Sequence, residues 1–148
     1  MGKILVVTQV TWENCGSESN DIKLLNLAIS PDPIVVPGLV SITATFYTKK
    51  KLASPLKARV SLRKKIINTY VLVPCLSIIS CAYDDLCSLC KQCNCPMEVG
   101  EHTLNLPIKV NFTSWMIAGK YQAQIDIGTS SKGQGCVIIN NISVKTNK

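Results

Sequence analysis

Aromatic side chains are scarce in this chain of 148 residues, at 5%, and charge is thin, at 17%. Acids are fewer still: 9 Asp and Glu stand against 16 Lys and Arg, a formal net charge of +7. There is 1 histidine, and no apolar run approaches the roughly 18 residues of a membrane span. Each shortage excludes something. Few aromatics and no recognised motif argue against nucleic acid as a partner, despite the positive charge. The lone His102 has no Gly-x-Ser-x-Gly elbow to serve, and beside Glu101 it reads as part of a turn after Gly100. The stretch from Gly128 to Gln134 imitates a phosphate-binding loop, but Gln134 stands where the lysine belongs. Asp84 and Asp85 are adjacent, so on a short helix they point apart. No catalytic residue is assigned, and no cofactor is implied. A hydrophobic content of 47% excludes a disordered chain.

What the chain has in quantity is period-two alternation, the mark of half-buried strands. Leu25, Leu27 and Ile29 alternate with polar or small neighbours, as do Val40, Ile42, Ala44 and Phe46. The same holds for Ala58, Val60 and Leu62, and for Leu104, Leu106, Ile108, Val110 and Phe112. Tyr121, Ala123, Ile125 and Ile127 follow, then Ile138, Ile142 and Val144 with Asn140 interrupting. Each run offers one wet and one apolar face, which predicts an all-β antiparallel sandwich. Pro31-Asp32-Pro33, Pro37-Gly38, Ser54-Pro55 and the Gly/Ser-rich stretch 128–135 supply the turns. The stretch from Cys81 to Cys95 resists strand assignment, and residues 81–87 are read as a short helix.

Cysteine is abundant, with 8 residues, an even number. Cys75, Cys81, Cys87, Cys90, Cys93 and Cys95 cluster, while Cys15 and Cys136 lie far outside them. An outer pair joining the two ends is the economical arrangement, because the termini of a domain tend to lie close together. The remaining connectivity is open. A metal site competes: Cys87-x-x-Cys90-x-x-Cys93-x-Cys95 has ligand-like spacing for zinc, although four cysteines would then lack a role. Asn111-Phe112-Thr113 and Asn141-Ile142-Ser143 are glycosylation sequons, compatible with secretion. The opening Met1-Gly2-Lys3 and Ile4–Val7 is too short for a signal peptide, and Val6 rules out myristoylation. Residues 1–11 are therefore read as a leader or appended remnant, and 12–146 as a single domain.

The order of short motifs resembles one family. Trp12-Glu13-Asn14-Cys15, then Pro31-Asp32-Pro33-Ile34-Val35-Val36-Pro37-Gly38, then Ser54-Pro55-Leu56-Lys57 are similar to landmarks of the ganglioside GM2 activator protein family. Val73-Pro74-Cys75, Ser80-Cys81, Cys93-Asn94-Cys95-Pro96, Ser114-Trp115, Gly119-Lys120-Tyr121 and Gly135-Cys136 continue the series in the same order. The resemblance implies a β-sandwich opened into a cup, of the MD-2-related lipid-recognition group. It implies a non-enzymatic sphingolipid activator of ganglioside catabolism, secreted or lysosomal, that lifts a glycolipid or phospholipid from a membrane and presents it to a hydrolase. It also implies the pairs Cys15–Cys136, Cys75–Cys81, Cys87–Cys95 and Cys90–Cys93. Ser88-Leu89 and Lys91-Gln92 are shorter than the family's loops, and Leu39 replaces the asparagine of a family sequon. These departures border the region where the family meets lipid and enzyme, so the resemblance implies a lysosomal glycosidase as partner without fixing ganglioside as the lipid or a hexosaminidase as the enzyme.

The resemblance places Trp115, Met116 and Ile117 on a mobile lip that meets the membrane, where tryptophan suits the interface. A buried Trp115 between strands is the alternative. Tyr70 falls where the family has an aromatic on a second rim loop, which Ile66 and Ile67 would extend. Tyr121 aligns with a tyrosine near the mouth of the cup; the alternative is inward packing with its hydroxyl satisfied locally. The basic runs Lys49-Lys50-Lys51 and Arg63-Lys64-Lys65 read either as docking charges for an anionic membrane or as solvated hairpin ends. The expected function is lipid binding and transfer. A secreted carrier of another small apolar ligand, such as a pheromone or immune lipid, is one alternative, and a cysteine-rich zinc module is another.

Overall fold

The computed structural model describes residues 9–75, 81–88, 95–111, 115–129 and 133–146. Two sheets face each other. The larger contains β1 (Thr11–Asn14), β3 (Ile34–Val36), β5 (Lys57–Ile66), β6 (Thr69–Val73), β7 (Ala82–Tyr83), β9 (Gly119–Gly128) and β10 (Gly135–Thr146). Its main order is β1-β10-β9-β5-β6, with β3 beside β10 and β7 beside β5. The smaller contains β2 (Ile22–Ser30), β4 (Gly38–Thr48) and β8 (Gly100–Val110), in the order β2-β4-β8. Pairing is antiparallel except between β3 and β10. The all-β sandwich predicted from alternation is the observed architecture.

Two bulges alter the predicted faces. In β2 the register slips between Leu24 and Asn26, so Leu25 is the extra residue and turns outward, 47% exposed. The inward set is Ile22, Leu24, Leu27 and Ile29, not the run Leu25, Leu27, Ile29. In β10 the slip falls between Ile139 and Ile142, with Asn141 at φ 60°. Val137 and Ile139 therefore point inward on one side of the bulge, and Ile142 and Val144 on the other. Ile138 lies on the outer face, against expectation. One inserted residue reverses side-chain phase, since the strand period is two.

The short helix expected over residues 81–87 is present only as a single 3-10 turn at the end of that stretch. Ala82 and Tyr83 extend to pair with Arg59 and Ala58, and the turn follows at Leu86–Ser88. Asp85 organises this segment. Its carboxylate accepts the Leu56 amide at 2.9 Å, the Cys87 amide at 3.0 Å and the Ser54 hydroxyl. These donors, the Ser54 hydroxyl foremost, hold its carboxyl below the usual carboxylate range. His102 belongs to strand β8, not to a turn. Its ring stands 5.6 Å from that of Phe46, and its Nε2 lies 2.6 Å from the Glu98 carbonyl.

Disulfides join Cys15 to Cys136, Cys75 to Cys81 and Cys87 to Cys95. Each agrees with the pairing implied by the family resemblance. Cys87 and Cys95 bond to each other and so are not thiolate ligands, which removes two of the four thiols from the zinc spacing. Cys90, Cys93 and Phe112 lie outside the described residues, as does any bond between those two cysteines.

The core has two centres. The first gathers Ile22, Leu24, Phe46, Leu52, Leu56 and Met97 with residues of β9 and β10. It is floored by Leu52, 0% exposed, whose backbone pairs with Met97. The second, at the far end of the strands, is Val36, Val40, Val110 and Ile117. Among the described residues the strands of the two sheets approach each other most closely where β1 and β10 meet β2 and where β3 leads into β4.

Candidate functional site

Between the two core centres the inward-facing residues are apolar yet only partly buried. On β4, Ala44 packs toward the first cluster and Ile42 toward the second; on β2, Leu27 and Ile29 divide in the same way. On β8, Leu104 and Ile108 divide likewise. Leu106, between them and opposite Ile42, packs with neither cluster and stays partly exposed. A closely packed interior would bury such residues. Here a transverse band of Leu, Ile and Ala side chains on the inward face of the smaller sheet is left incompletely buried. Walls of this kind hold alkyl chains by hydrophobic transfer, at about 0.8 kcal/mol per methylene buried.

The rim at the far end is built from two segments. The hairpin joining β5 to β6 turns through Ile67 and Asn68. Ile67 sits at φ 61° and is 88% exposed, with Ile66 at 47%. A left-handed first residue matches the twist that short hairpins need, but glycine or asparagine ordinarily supplies it. A β-branched residue held there is strained, and such strain gathers at functional segments. The second segment is the 3-10 turn Trp115–Ile117, preceding β9. Met116 projects from it, 62% exposed, while Ile117 is 2% exposed and seats the turn in the second core cluster. The backbone of Trp115 opens the turn; its side chain lies outside what is described.

Lys64 links the two segments. It lies opposite Tyr121 on the inner face of the larger sheet. Its ammonium donates to the Met116 carbonyl at 2.5 Å and stands 5.7 Å from the centre of the Tyr121 ring. Arg63 and Lys65, its neighbours, belong to the opposite face. The run 63–65 is therefore not one patch, which alternation alone implies once the strand is assigned. Tyr121 is buried, and its hydroxyl donates to the Ile117 carbonyl at 2.7 Å. Burial pushes its phenol pKa above the usual value. Tyr70, opposite Lys65, is on the outer face of the sheet at the same end. Ile66, Ile67, Met116, Lys64 and Tyr121 are thus gathered at the mouth, Ile117 lies beneath it, and Tyr70 lies around the corner.

The other sequence-derived residues sit apart. Asn111 is exposed at the end of β8, beside a shallow cleft lined by Pro37, Leu39 and Lys109. Asn141 occupies the β10 bulge. Lys51 pairs with Glu98 at 3.6 Å near the closed end. Gln134, the lysine substitute in the imitation phosphate loop, accepts from the Thr129 amide and hydroxyl, each at 2.7 Å, and donates to Asp21 at 3.0 Å. It closes a hairpin. Among the described residues no three His, Cys, Asp or Glu side chains converge as a metal site would require.

The profile of the ML domain family matches residues 9–142. The ganglioside GM2 activator of Mus musculus is 30% identical over 155 residues, spanning 87% of this chain and 79% of that protein. That of Macaca fascicularis is 26% identical over 152 residues, spanning 87% and 80%. Among solved structures, a Niemann-Pick type C2 protein from the Japanese carpenter ant superposes with a TM-score of 0.59 at 14% identity, covering 93% of this chain and 99% of that one. The chain belongs to the ML domain family, as a relative of the ganglioside GM2 activators.

Proposed function

We propose that this chain is a non-catalytic lipid-binding and lipid-transfer protein, which takes a glycolipid or phospholipid from a membrane into the space between its sheets and presents it to a hydrolase. The observation that carries this reading is the band of inward, apolar, incompletely buried side chains between two separate core clusters, with Leu106 packed against neither. The kinship with proteins named as ganglioside activators supports it. The rim supports the membrane step. Ile67 and Met116 are large, apolar and exposed at one end, as an element that enters the interface must be. Lys64 stands between them and the interior, and its remaining donors suit an anionic headgroup. The disulfides and sequons fit a secreted or lysosomal setting, and a lysosomal glycosidase is the partner the kinship suggests.

The test is transfer of a fluorescent sphingolipid between vesicles. Leu106→Trp fills the band, so transfer is expected to fall about tenfold while thermal stability holds or rises. Leu106→Phe is expected to do the same to a smaller degree. Undiminished transfer by both folded variants would show that the lipid does not occupy the space between the sheets.

A further inference from the structure

The outer face of the larger sheet has no part in the cup, yet it holds a row of cations. Along β5 the outward residues are Lys57, Arg59, Ser61, Arg63 and Lys65, because Ala58, Val60 and Leu62 face inward. The four cations are exposed and span roughly 27 Å at about 3.4 Å per residue. Lys120, exposed on β9, follows on from the last β5–β9 pair, Lys64 with Tyr121, at the Lys65 end of the row. Among the described residues, none of these five side chains has a hydrogen bond or an ion pair. Next to the cations runs a row of amides: Gln122 opposite Arg63 and Gln124 opposite Ser61. Asn140 accepts from Gln122 at 2.7 Å. Asp126 lies opposite Arg59, and Asp84 follows the Tyr83 that pairs with Ala58, so two acids stand near the Lys57–Arg59 end of the row.

We propose that this face binds a linear sulfated polysaccharide lying lengthwise along β5. The two guanidinium forks match sulfate and carboxylate oxygens in bidentate fashion, and the lysines add charge without geometric demand. The amide row supplies donors and acceptors for hydroxyl groups, which a bare phosphate surface does not require. A membrane is the weaker candidate. The apolar anchors Ile67 and Met116 are at one end of β5, so a bilayer engaging them meets the row end-on. Lys57 and Arg59 would then stand more than 20 Å away by the same rise per residue, beyond a Debye length of about 8 Å at physiological salt. Nucleic acid is also a weaker candidate, because Tyr70, opposite Lys65, offers one ring at the edge of the row and not a series on which successive bases could stack.

The experiment measures binding of the full disulfide-bonded chain to a heparin-derived octasaccharide. Arg59→Gln combined with Arg63→Gln is expected to weaken binding about tenfold. Lys49→Gln combined with Lys50→Gln removes the same charge elsewhere and is expected to change it less than about threefold. Equal losses from both pairs, or no binding by the natural chain, would overturn the proposal. Anionic phosphatidylserine vesicles or single-stranded DNA displacing the octasaccharide as well as itself, at matched charge, would also overturn it. Amide chemical shifts of the natural chain supply a readout that does not depend on variant folding. Shifts confined to β5 and β9 are expected, and shifts confined to other strands would refute the site.

Discussion

Asp85 shows how much a single half-buried side chain can organise. It gathers the Ser54 hydroxyl and two backbone amides, tying the loop before β5 to the turn that precedes the Cys87–Cys95 bond. Those donors favour the carboxylate and lower its pKa in the folded chain. Its contribution to stability is therefore fully present above the unfolded value of about 3.9 and is lost as pH falls through the lower folded value. Asp85→Asn is expected to melt below the natural chain at pH 5 and to match it near pH 2. Parallel melting temperatures at both pH values, measured by circular dichroism, would remove Asp85 from this role. The sequence showed only two adjacent acids. Their consequence depended on donors about 30 positions upstream, which no local pattern reveals.

At the scale of elements, the hairpin between β5 and β6 sets local comfort against reach. Ile67 holds a left-handed conformation that costs an L-residue about 1–2 kcal/mol, while almost all of its side chain lies in solvent. Ile67→Gly is expected to stabilise the fold by about 1 kcal/mol in denaturant titration, after allowing for the added freedom of the unfolded chain. The same substitution is expected to slow lipid extraction from vesicles, because it blunts the apolar tip. A variant both destabilised and fully active would contradict both halves. Elements of regular alternation were legible from sequence, because a buried face imposes period two on the residues themselves. The bulges were not legible: one extra residue in β2 and one in β10 leave composition untouched and reverse what faces the core. The short strand β3, paired in parallel with β10, was missed for a related reason. Three residues between prolines carry too little pattern, and their partner is more than 100 positions away.

For the molecule as a whole, two facing sheets are held by covalent bonds of very different span. Cys15–Cys136 closes a loop with a sequence separation of 121, while Cys75–Cys81 closes one of only 6. On loop-closure entropy the first is worth about 5 kcal/mol and the second about 2 kcal/mol. Replacing both cysteines of the long pair with serine should therefore cost more in guanidinium unfolding than the same change in the short pair. The reverse order would mean that strain or residual structure dominates. The motif order and cysteine positions made this family legible from sequence, but the incomplete burial of Leu106 and its neighbours did not show, because apolar alternation reads the same whether or not the residues are fully covered. The strand order has one further consequence. β10 joins β1, β3 and β9 into one sheet and carries the cysteine that ties down the start of the chain. It follows β1, β3 and β9 in the chain, so each of these neighbours is synthesised with an edge that stays unpaired until β10 emerges. The order of synthesis thereby sets the order of assembly: the smaller sheet and the pairing of β5 with β9 can form first, and the larger sheet is completed only when β10 arrives.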